Sequence, residues 1–351
     1  MNEINAIGIM SGSSLDGLDL CCANFRKNNS SWEFEIQAHS TYHFDTILFE
    51  KLKTVRSLTG LELATFDIEL GQWIGETTLD FINRNELKPS LIGSHGHTVF
   101  HQVDRQLSLQ IGNPQAIAQK TGLKVVADFR QQNVLIGGNG APLAPIGDLL
   151  LFSDYDAHVN LGGIANLSLR NEKDIIAGDI VPCNQVLNAL ASELGMPFDK
   201  DGDIARRGKV SSSWTETLNL NPFFKKKLPK SISNEWVNET FLQKFPSLSN
   251  EELLCTFTHF ISDRISEVLN DAGAKKILVT GGGTFNSYLM SLIERRLPDA
   301  EVIVPDTSLI EAKEALIFAF MAVLRINQEP NCLSSYTGAK TDLSTGVVYF
   351  P

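Results

Sequence analysis

The segment AHVNLGGIANLSLRNEKDIIAGDIVPCNQVLN, residues 157–188, decides the fold of this chain. Short apolar runs in it are separated by a pair of glycines at 162–163 and by a polar turn at 171–172. This spacing predicts a meander of three antiparallel strands. The predicted strands cover residues 158–161, 166–169 and 174–177.

A carboxylate follows the third of these strands. We predict that the strand ends at Gly178-Asp179, that a loop containing Pro182 follows, and that a helix over 184–194 begins with Asn184 as its N-cap. Because glycine lets backbone N–H groups approach an anion closely, and a nearby carboxylate can act as a base or metal ligand, the segment predicts half of a phosphate-transfer site. The structural alternative for Asp179 is capping of the turn.

Length and composition limit the class of protein. A chain of 351 residues is longer than one ordinary core, and we predict two domains, 1–135 and 136–351. The 41 acidic against 30 basic residues, a formal charge of −11, disfavour nucleic acid and anionic membranes as partners. Five cysteines without a CxxC pair argue against a disulfide framework. With no evident signal peptide, and with a longest apolar run (315–324) too short to span a bilayer, we expect a cytoplasmic protein.

The two halves repeat one order of predicted elements. The first half has strands over 4–10, 18–24, 32–38, 91–94 and 124–127, with helices over 61–83 and 114–120. After its meander, the second half has helices over 184–194, 251–272, 287–296 and 312–326, with strands over 277–280 and 301–304. Both halves spell β-β-β-α-β-α-β, which predicts two lobes that face their glycine hairpins, around Gly12 and Gly162, toward a central nucleotide cleft. Two unrelated α/β domains are the alternative.

Three glycine turns are candidates for nucleotide binding. In the first, Gly12 and the hydroxyls of Ser13 and Ser14 could hold phosphates, and Asp16 could reach Mg²⁺ through water; an ordinary turn is the alternative. The second is the hairpin at 162–163, with Asn166. The third, residues 281–283 after a buried strand, allows an adenosine to lie against the backbone.

Histidine and cysteine residues have two interpretations. His95, His97 and His101 suggest zinc, but no nearby cysteine or carboxylate completes a tetrahedral set, so a zinc site is disfavoured. Cys183, close to Asp179, could be a nucleophile, but the default for such a residue is a small buried thiol.

An ordered series of motifs covers nearly the whole chain. It resembles the anhydro-N-acetylmuramic acid kinases, members of the actin/hexokinase/Hsp70-like ATPase superfamily. The motifs are GIMSGSSLDGLD (8–19), GSHGHT (93–98), LQIGNP (109–114), VADFR (126–130), GGNGAPL (137–143), NLGGIANL (160–167), DKDG (199–202), PKS (229–231), GGG (281–283) with Asn286, and TGA (337–339).

The resemblance implies an α/β protein with a duplicated, two-lobed actin/hexokinase-like ATPase fold. It also implies a homodimeric kinase that uses ATP and Mg²⁺ to open the 1,6-anhydro ring of a cell-wall sugar and to phosphorylate O6 during peptidoglycan recycling. Asp179 falls where the family carries its catalytic aspartate, and Arg130 and Glu314 fall where it contacts the sugar; Arg130 suits a lactyl carboxylate. His95 and His97 complete the predicted sugar site. The predicted nucleotide-binding residues are Gly12, Ser13, Ser14, Leu15, Asp16, Gly17, Leu18, Asp19, Gly162, Gly163, Asn166, Gly281, Gly282 and Gly283.

The chain departs from the family pattern at three places, as a divergent branch does. The usual Asp-Thr-Gly-Pro-Gly-Asn loop is DIVPCN at 179–184, His97 replaces a glutamine, and Gly147-Asp148 stands where a histidine is expected. Branched residues at 180 and 181 predict looser phosphate contact by this loop. A kinase for another anhydro or N-acetylated sugar, or a catalytically silent sensor of sugar or nucleotide, are therefore the alternatives.

Overall fold

The computed structural model describes residues 3–12, 15, 17–28, 31–171, 174–243 and 245–351. The chain divides into two compact units. The first comprises Met1–Leu151 and Glu311–Pro351, and the second comprises Phe152–Ile310.

The first unit contains a seven-stranded sheet within the described residues. Its strand order is β12-β6-β4-β1-β2-β3, with β5 paired to β4. The strands are β1 (Ile4–Ser11), β2 (Leu18–Asn28), β3 (Ser31–Tyr42), β4 (Leu91–Gln102), β5 (Leu107–Ile111), β6 (Lys124–Ala127) and β12 (Val347–Tyr349). The helices are α1 (Thr46–Lys53), α2 (Gly60–Arg84), α3 (Pro114–Thr121), α4 (Gln131–Leu135), α5 (Pro145–Leu150), most of α12 (Thr307–Ile326) and α13 (Ser334–Thr337).

The second unit contains a five-stranded sheet, counted over the same described ranges. Its strand order is β11-β10-β7-β8-β9. The strands are β7 (Ala157–Leu161), β8 (Ile164–Asn171), β9 (Asp174–Pro182), β10 (Lys276–Thr280) and β11 (Glu301–Ile303). The helices are α6 (Asn184–Ser192), α7 (Asp203–Arg207), α8 (Ser212–Leu220), α9 (Asn234–Val237), α10 (Asn250–Asp271) and α11 (Ser287–Arg296), and a 3-10 turn covers Gly282–Phe285.

The two sheets share one topology, which confirms the predicted duplication. In each, the first three strands form an antiparallel meander, and two later strands add in parallel beside the first (β4 and β6 in the first unit, β10 and β11 in the second). The order β6-β4-β1-β2-β3 thus corresponds to β11-β10-β7-β8-β9. The protein therefore has the duplicated actin/hexokinase-like ATPase fold.

Local signals explain why the long helices begin where they do. Thr59 and Glu62 form a capping box at the start of α2, and Ser249 and Glu252 form one at the start of α10. At the other end of α10, Gly273 takes a left-handed conformation with φ 65°, as predicted for the residue that stops this helix.

Helix α12 packs directly on the sheet of the first unit through two glycines. A Cβ on Gly8 of β1 would lie 1.7 Å from the carbonyl oxygen of Ala315, and a Cβ on Gly93 of β4 would lie 2.1 Å from that of Phe318. Every residue of α12 from 315 to 324 is buried. Burial of a large apolar side chain contributes about 2 kcal/mol, so this helix is a major part of the core.

This packing explains where the structure differs from the predicted domain boundary at 135/136. The first unit continues to Leu151, because Gly147 in α5 packs against Ile317 of α12. The chain also returns to it at Glu311, because α12 packs on β1 and β4 and because β12 pairs with β6. These are contacts between residues far apart in sequence, and hydrophobic periodicity carries no information about them.

Strands β5 and β12 were not predicted, and β4 extends eight residues beyond the predicted end at Ser94, to Gln102. The extension carries both His95 and His97 on a strand, and β5 pairs with it from Ile111 back to Leu107. Over the ranges that the structure describes, no helix combines the length and the apolar character needed to cross a bilayer.

The close approach at Gly8 gives a test of this core. We expect Gly8→Val to lower the free energy of unfolding by about 3 kcal/mol or more, because its side chain would overlap the backbone of α12. Urea unfolding followed by circular dichroism measures the change. Gly60→Ala is the matched control, since a Cβ there meets nothing within 4 Å; equal stability of the two variants would contradict the packing described here.

Candidate functional site

Asp179 lies inside strand β9, not at a strand end as predicted. The strand runs on to Pro182, which pairs with Ile164. Ile180 and Val181 are buried in the core of the second unit. Because β-branched side chains favour extended backbone and gain from burial, these two residues prolong the strand where the sequence analysis placed a loop.

A β-bulge re-aims the side chains around Asp179. Val181 pairs with Ala165, and Asp179 pairs with the next residue, Asn166, so Ile180 has no partner of its own. The extra residue lets Ile180 and Val181 both turn into the core while Asp179 remains half-buried. The side chains that depart from the family loop, including that of Cys183, are thus in the core.

A neighbouring segment without regular secondary structure, residues 228–232, holds Asp179. The Asp179 backbone N–H donates to the carbonyl of Lys230 (2.8 Å), and the backbone N–H of Ile232 donates to Asp179 Oδ2 (2.8 Å). The segment comes this close because Gly178 has no side chain: a Cβ there would lie 2.7 Å from the oxygen of Lys230. The PKS motif at 229–231 lies in this segment, and its residue types alone do not indicate this contact with Asp179.

The carboxylate of Asp179 has a raised pKa. Loss of hydration by burial is the larger cause, and the hydrogen bond from Ile232 N–H opposes it. A carboxylate with increased proton affinity that is held in place by the backbone has the character of a general base.

Asp179 is the end of a row of polar residues across four adjacent strands. Thr280 on β10 pairs with Asn160 on β7, which pairs with Asn166 on β8, which pairs with Asp179 on β9. Directly opposite residues project on the same face of a sheet, so these side chains form a polar line. Asn160 and Thr280 were not predicted as site residues, because only the strand register aligns them with Asp179.

Two of the predicted glycine turns lie next to each other in the second unit. Gly281, with φ 88°, lies so close to β7 that a Cβ would be 2.5 Å from Asn160 Oδ1, and a Cβ on Gly283 would be 2.6 Å from the Cβ of Leu161. A Cβ on Gly282, in contrast, would have no neighbour within 4 Å. The 281–283 turn therefore packs against the end of β7 and leaves its middle residue open.

The glycines at 162–163 join β7 to β8 as predicted, and their carbonyls accept hydrogen bonds from the start of α6. Gly163 O accepts from the N–H groups of Cys183 (2.8 Å) and Gln185 (3.1 Å). Asn184 does not cap the helix with its side chain as predicted; Cys183 occupies the N-cap position, and Asn184 Nδ2 donates instead to Leu161 O (3.0 Å). Asn184 thus ties the helix to the hairpin.

The glycine turn of the first unit is only partly described. Ser13, Ser14 and Asp16 lie outside the described residues. Leu15 N–H donates to Gly12 O (3.3 Å), and the Leu15 side chain packs against the core. Gly17 lies so close to β3 that a Cβ would be 2.8 Å from the carbonyl oxygen of Tyr42. Leu18 is fully buried in that core, so only its backbone remains for the predicted contact with nucleotide.

Arg130 is held in a fixed orientation by two partners. Its Nε donates to His95 Nε2 (2.8 Å), and its Nη1 donates to Gly140 O (2.7 Å). His95 therefore carries its proton on Nδ1, which donates to Gly96 O (2.8 Å). Burial and the nearby guanidinium lower the pKa of His95 well below its usual range, so its ring is neutral.

Both ring nitrogens of His95 are thus engaged within the protein, and its ring packs on Phe318 with 4.6 Å between centroids. This geometry gives His95 the role of orienting Arg130. Burial lowers the pKa of Arg130 to about 10, while the charge of Glu314 raises it; the guanidinium remains a cation at neutral pH.

Glu314 on α12 completes this charged group in the first unit. Its side chain reaches solvent. Its pKa is raised, first by loss of hydration and second by the negative charge of Asp19; the cations Arg130 and Lys313 oppose this. Asp19 itself accepts a hydrogen bond from Thr41 Oγ1 (2.6 Å). The structure therefore brings together Arg130, His95 and Glu314 of the predicted sugar site, and adds Asp19 to them.

His97 makes a different contact from the members of this group. It is 4% exposed, and its Nδ1 lies 3.1 Å from Ser11 Oγ, at the end of β1 next to the Gly12 turn. Burial, and second the charge of Arg56, lower its pKa to about 4. His97 thus supports the first glycine turn from inside the protein.

Neither a metal cluster nor a reactive thiol emerges in the part of the chain that the structure describes. No group of three or more His, Cys, Asp or Glu residues there could hold a metal ion. Cys183 is fully buried, and loss of hydration raises the pKa of its thiol to about 12, which leaves it protonated.

Comparison with known proteins places this geometry in a family. The family described as "Anhydro-N-acetylmuramic acid kinase" matches residues 4–351. The chain belongs to the anhydro-N-acetylmuramic acid kinase family. It is accordingly an enzyme and a kinase.

Curated relatives bear the same family name. The anhydro-N-acetylmuramic acid kinase of Pseudomonas savastanoi pv. phaseolicola is 34% identical over 98% of both chains. That of Hydrogenovibrio crunogenus is 32% identical, again over 98% of each. A ROK family glucokinase from Streptomyces griseus, solved in complex with glucose and AMPPNP, covers 91% of this chain and 99% of its own at 11% identity, with a TM-score of 0.42, a likeness too slight to bear on function.

The buried His97 predicts a pH dependence of stability. In the unfolded chain the imidazole of His97 takes up a proton near pH 6.5, whereas in the folded protein it does so only near pH 4. The free energy of unfolding therefore decreases as the pH falls from about 6.5 to about 4, and this residue contributes a loss on the order of 3 kcal/mol. We expect His97→Gln, which keeps a polar partner for Ser11, to have a shallower loss of stability than wild type in urea titrations from pH 7.5 to 4.5. Parallel curves for the two proteins would contradict this.

Proposed function

We propose that the protein opens the 1,6-anhydro ring of 1,6-anhydro-N-acetylmuramic acid and phosphorylates O6, with ATP as the phosphoryl donor, to give N-acetylmuramic acid 6-phosphate. Family membership over residues 4–351 supports the substrate class. The observation that carries the proposal is the half-buried carboxylate of Asp179, held by the backbone of residues 230 and 232 and with a raised pKa.

Asp179 is the proposed general base. Its Oδ2 is engaged by Ile232 N–H, and Oδ1 makes no hydrogen bond to another residue that the structure describes. In the reaction, water adds to the anomeric carbon and gives its proton to Asp179, the bond between the anomeric carbon and O6 breaks, and O6 takes the γ-phosphoryl group as ADP leaves. Because the phosphoryl group captures the leaving oxygen, no second carboxylic acid is needed to protonate it.

The proposed nucleotide contacts are the glycine turns. The open position at Gly282 and the closely packed Gly281 and Gly283 leave room for a flat group against the backbone. Mg²⁺ belongs to the proposal as the ion that neutralises phosphate charge; it usually keeps several waters and needs only one or two protein carboxylates. Asp16, its predicted ligand, lies outside the described residues.

The proposed sugar contacts are Arg130 and Glu314. With Nε and Nη1 of Arg130 already fixed, Nη2 of its planar guanidinium remains to bind the lactyl carboxylate of a muramic sugar, while Glu314 can accept from sugar hydroxyls. The remaining predictions from family resemblance, a cytoplasmic homodimer that serves peptidoglycan recycling, are part of the same proposal.

The central experiment measures ADP release with 1,6-anhydro-N-acetylmuramic acid, levoglucosan or N-acetylglucosamine. We expect turnover with the anhydromuramic sugar only. Asp179→Asn should lower kcat by about a thousandfold, since it removes the base and keeps the shape of the side chain.

Asp174→Asn is the matched control, because Asp174 lies on the same strand but is exposed. It should turn over at the wild-type rate. Turnover with a different sugar would indicate a different sugar kinase, and nucleotide binding without turnover would indicate a sensor; each result would overturn the proposed function.

The raised pKa of Asp179 predicts the acidic limb of the pH profile. The base must be ionised, so kcat should fall as the pH drops through a pKa above the ordinary aspartate value of 3.8. Steady-state rates between pH 4 and 8 test this. An apparent pKa of this acidic limb at or below the ordinary aspartate value would show that another group, or no base at all, limits the reaction.

A further inference from the structure

A buried ion pair involves Lys313, the residue that precedes Glu314 on α12. Lys313 Nζ is 2.8 Å from Asp148 Oδ1, and the two side chains are only 10% and 7% exposed. Two opposite charges buried together offset each other's loss of hydration, whereas removal of one partner leaves a costly buried charge. Neither residue has a part in the reaction described above.

The pair belongs to a tight contact between α5 and α12. Gly147, next to Asp148, lies so close to α12 that a Cβ would be 2.6 Å from Ile317 Cγ1. Lys313 and Ile317 are one turn apart and therefore lie on the same face of α12. The ion pair and the Gly147 contact thus join the same faces of the two helices, close to the point where α12 enters the first unit.

Glu314 is the next residue along α12 and points elsewhere. Successive helical residues are about 100° apart, so Lys313 projects into the protein toward α5 while Glu314 reaches solvent. The charged groups that act on Glu314 are Asp19 from β2, Arg130 from the start of α4, and Lys313 itself. Of these, Lys313 alone lies on the same helix.

Other groups adjoin this cluster from α13 and the segment before it. The charge of Asp148 contributes to raising the pKa of the buried Tyr336 hydroxyl, and the charge of Arg130 acts to lower the pKa of the buried Cys332 thiol. Burial raises the pKa of Tyr336 well above its usual range and that of Cys332 to about 12, so both are neutral and protonated near pH 7. The charges that set the environment of Glu314 at neutral pH are therefore those of Asp19, Arg130 and Lys313.

We propose that the Asp148–Lys313 pair is a positioning element for sugar recognition, in which Asp148 anchors Lys313 beside the backbone of Glu314 and Lys313 contributes to the charge environment of Glu314. The inference rests on the proposed function in that Glu314 contacts the sugar. It assigns no direct contact with substrate to either member of the pair. Lys313 acts together with Arg130 to offset the repulsion between Asp19 and Glu314, and Asp148 acts by holding Lys313 where it can do so.

A charge swap separates this role from a purely structural one. Asp148→Lys combined with Lys313→Asp keeps an ion pair between α5 and α12 but places a carboxylate next to Glu314. We expect KM for the sugar at pH 7 to be roughly tenfold higher in the swapped protein than in wild type. KM for ATP should be unchanged, and the pH dependence of the sugar KM should shift to higher pH. Thermal unfolding verifies the fold.

Two further variants keep the test decisive if the swapped protein does not fold. Asp148→Asn with Lys313→Gln retains polar side chains of similar size without charge, and should also raise sugar KM. Lys313→Arg retains the cation, and should keep sugar KM within about threefold of wild type. The matched control is the swap Lys27→Glu with Glu329→Lys, which inverts another ion pair of the first unit (2.6 Å) that is 39% and 29% exposed.

The proposal is overturned if any folded variant that lacks the Lys313 cation keeps the wild-type sugar KM and its pH profile, or if the control swap changes sugar KM equally. The sugar used is whichever of the three assayed above the wild type phosphorylates. A wrong assignment of substrate is thereby detected in the wild-type assay, separately from a wrong assignment of the ion pair.

Discussion

Direct contact of backbone with backbone at glycine residues is the constraint on which the rest of the structure depends. In the first unit, α12 lies on β1 and β4 at the distance that Gly8 and Gly93 permit, and a methyl group at either position would overlap a helix carbonyl. In the second unit, the absence of a side chain at Gly178 lets the segment 228–232 pack directly against β9. Interiors packed at this density transmit small displacements, so the chemistry-bearing side chains on these elements are held with little freedom.

The placement of Asp179, the proposed base, shows how such packing fixes a polar side chain. The residue gains a raised pKa from burial, yet two backbone hydrogen bonds with residues 230 and 232 keep it oriented. A bulge opposite Asn166 turns the following residues into the core. The substitutions at 180, 181 and 183 that distinguish this chain from its family thus contribute to the core.

In the first unit, several charged side chains lie together, in contrast to the single carboxylate of Asp179 in the second unit. Arg130 is bound at two atoms by His95 and by Gly140, and Glu314 lies under the competing influence of Asp19 and of two cations. The departure from the family pattern at Asp148 also gains an explanation, because its carboxylate forms a buried ion pair with Lys313. A residue that differs from its family can therefore be interpreted through the partner that it meets in the fold.

The sequence by itself determined the kind and order of the main elements, the β-β-β-α-β-α-β repeat, the family, and the candidate residues Asp179, Arg130 and Glu314. Periodicity, turn residues and ordered motifs are properties of short stretches of sequence, so they can be recognised without knowledge of tertiary contacts. Only the tertiary structure decided that β9 continues through Asp179, that residues 311–351 return to the first unit, that His95 serves Arg130, and that Asn160 and Thr280 align with Asp179. Each of these depends on strand register or on contacts between residues distant along the chain, and a linear pattern of residue types does not encode the distances between them.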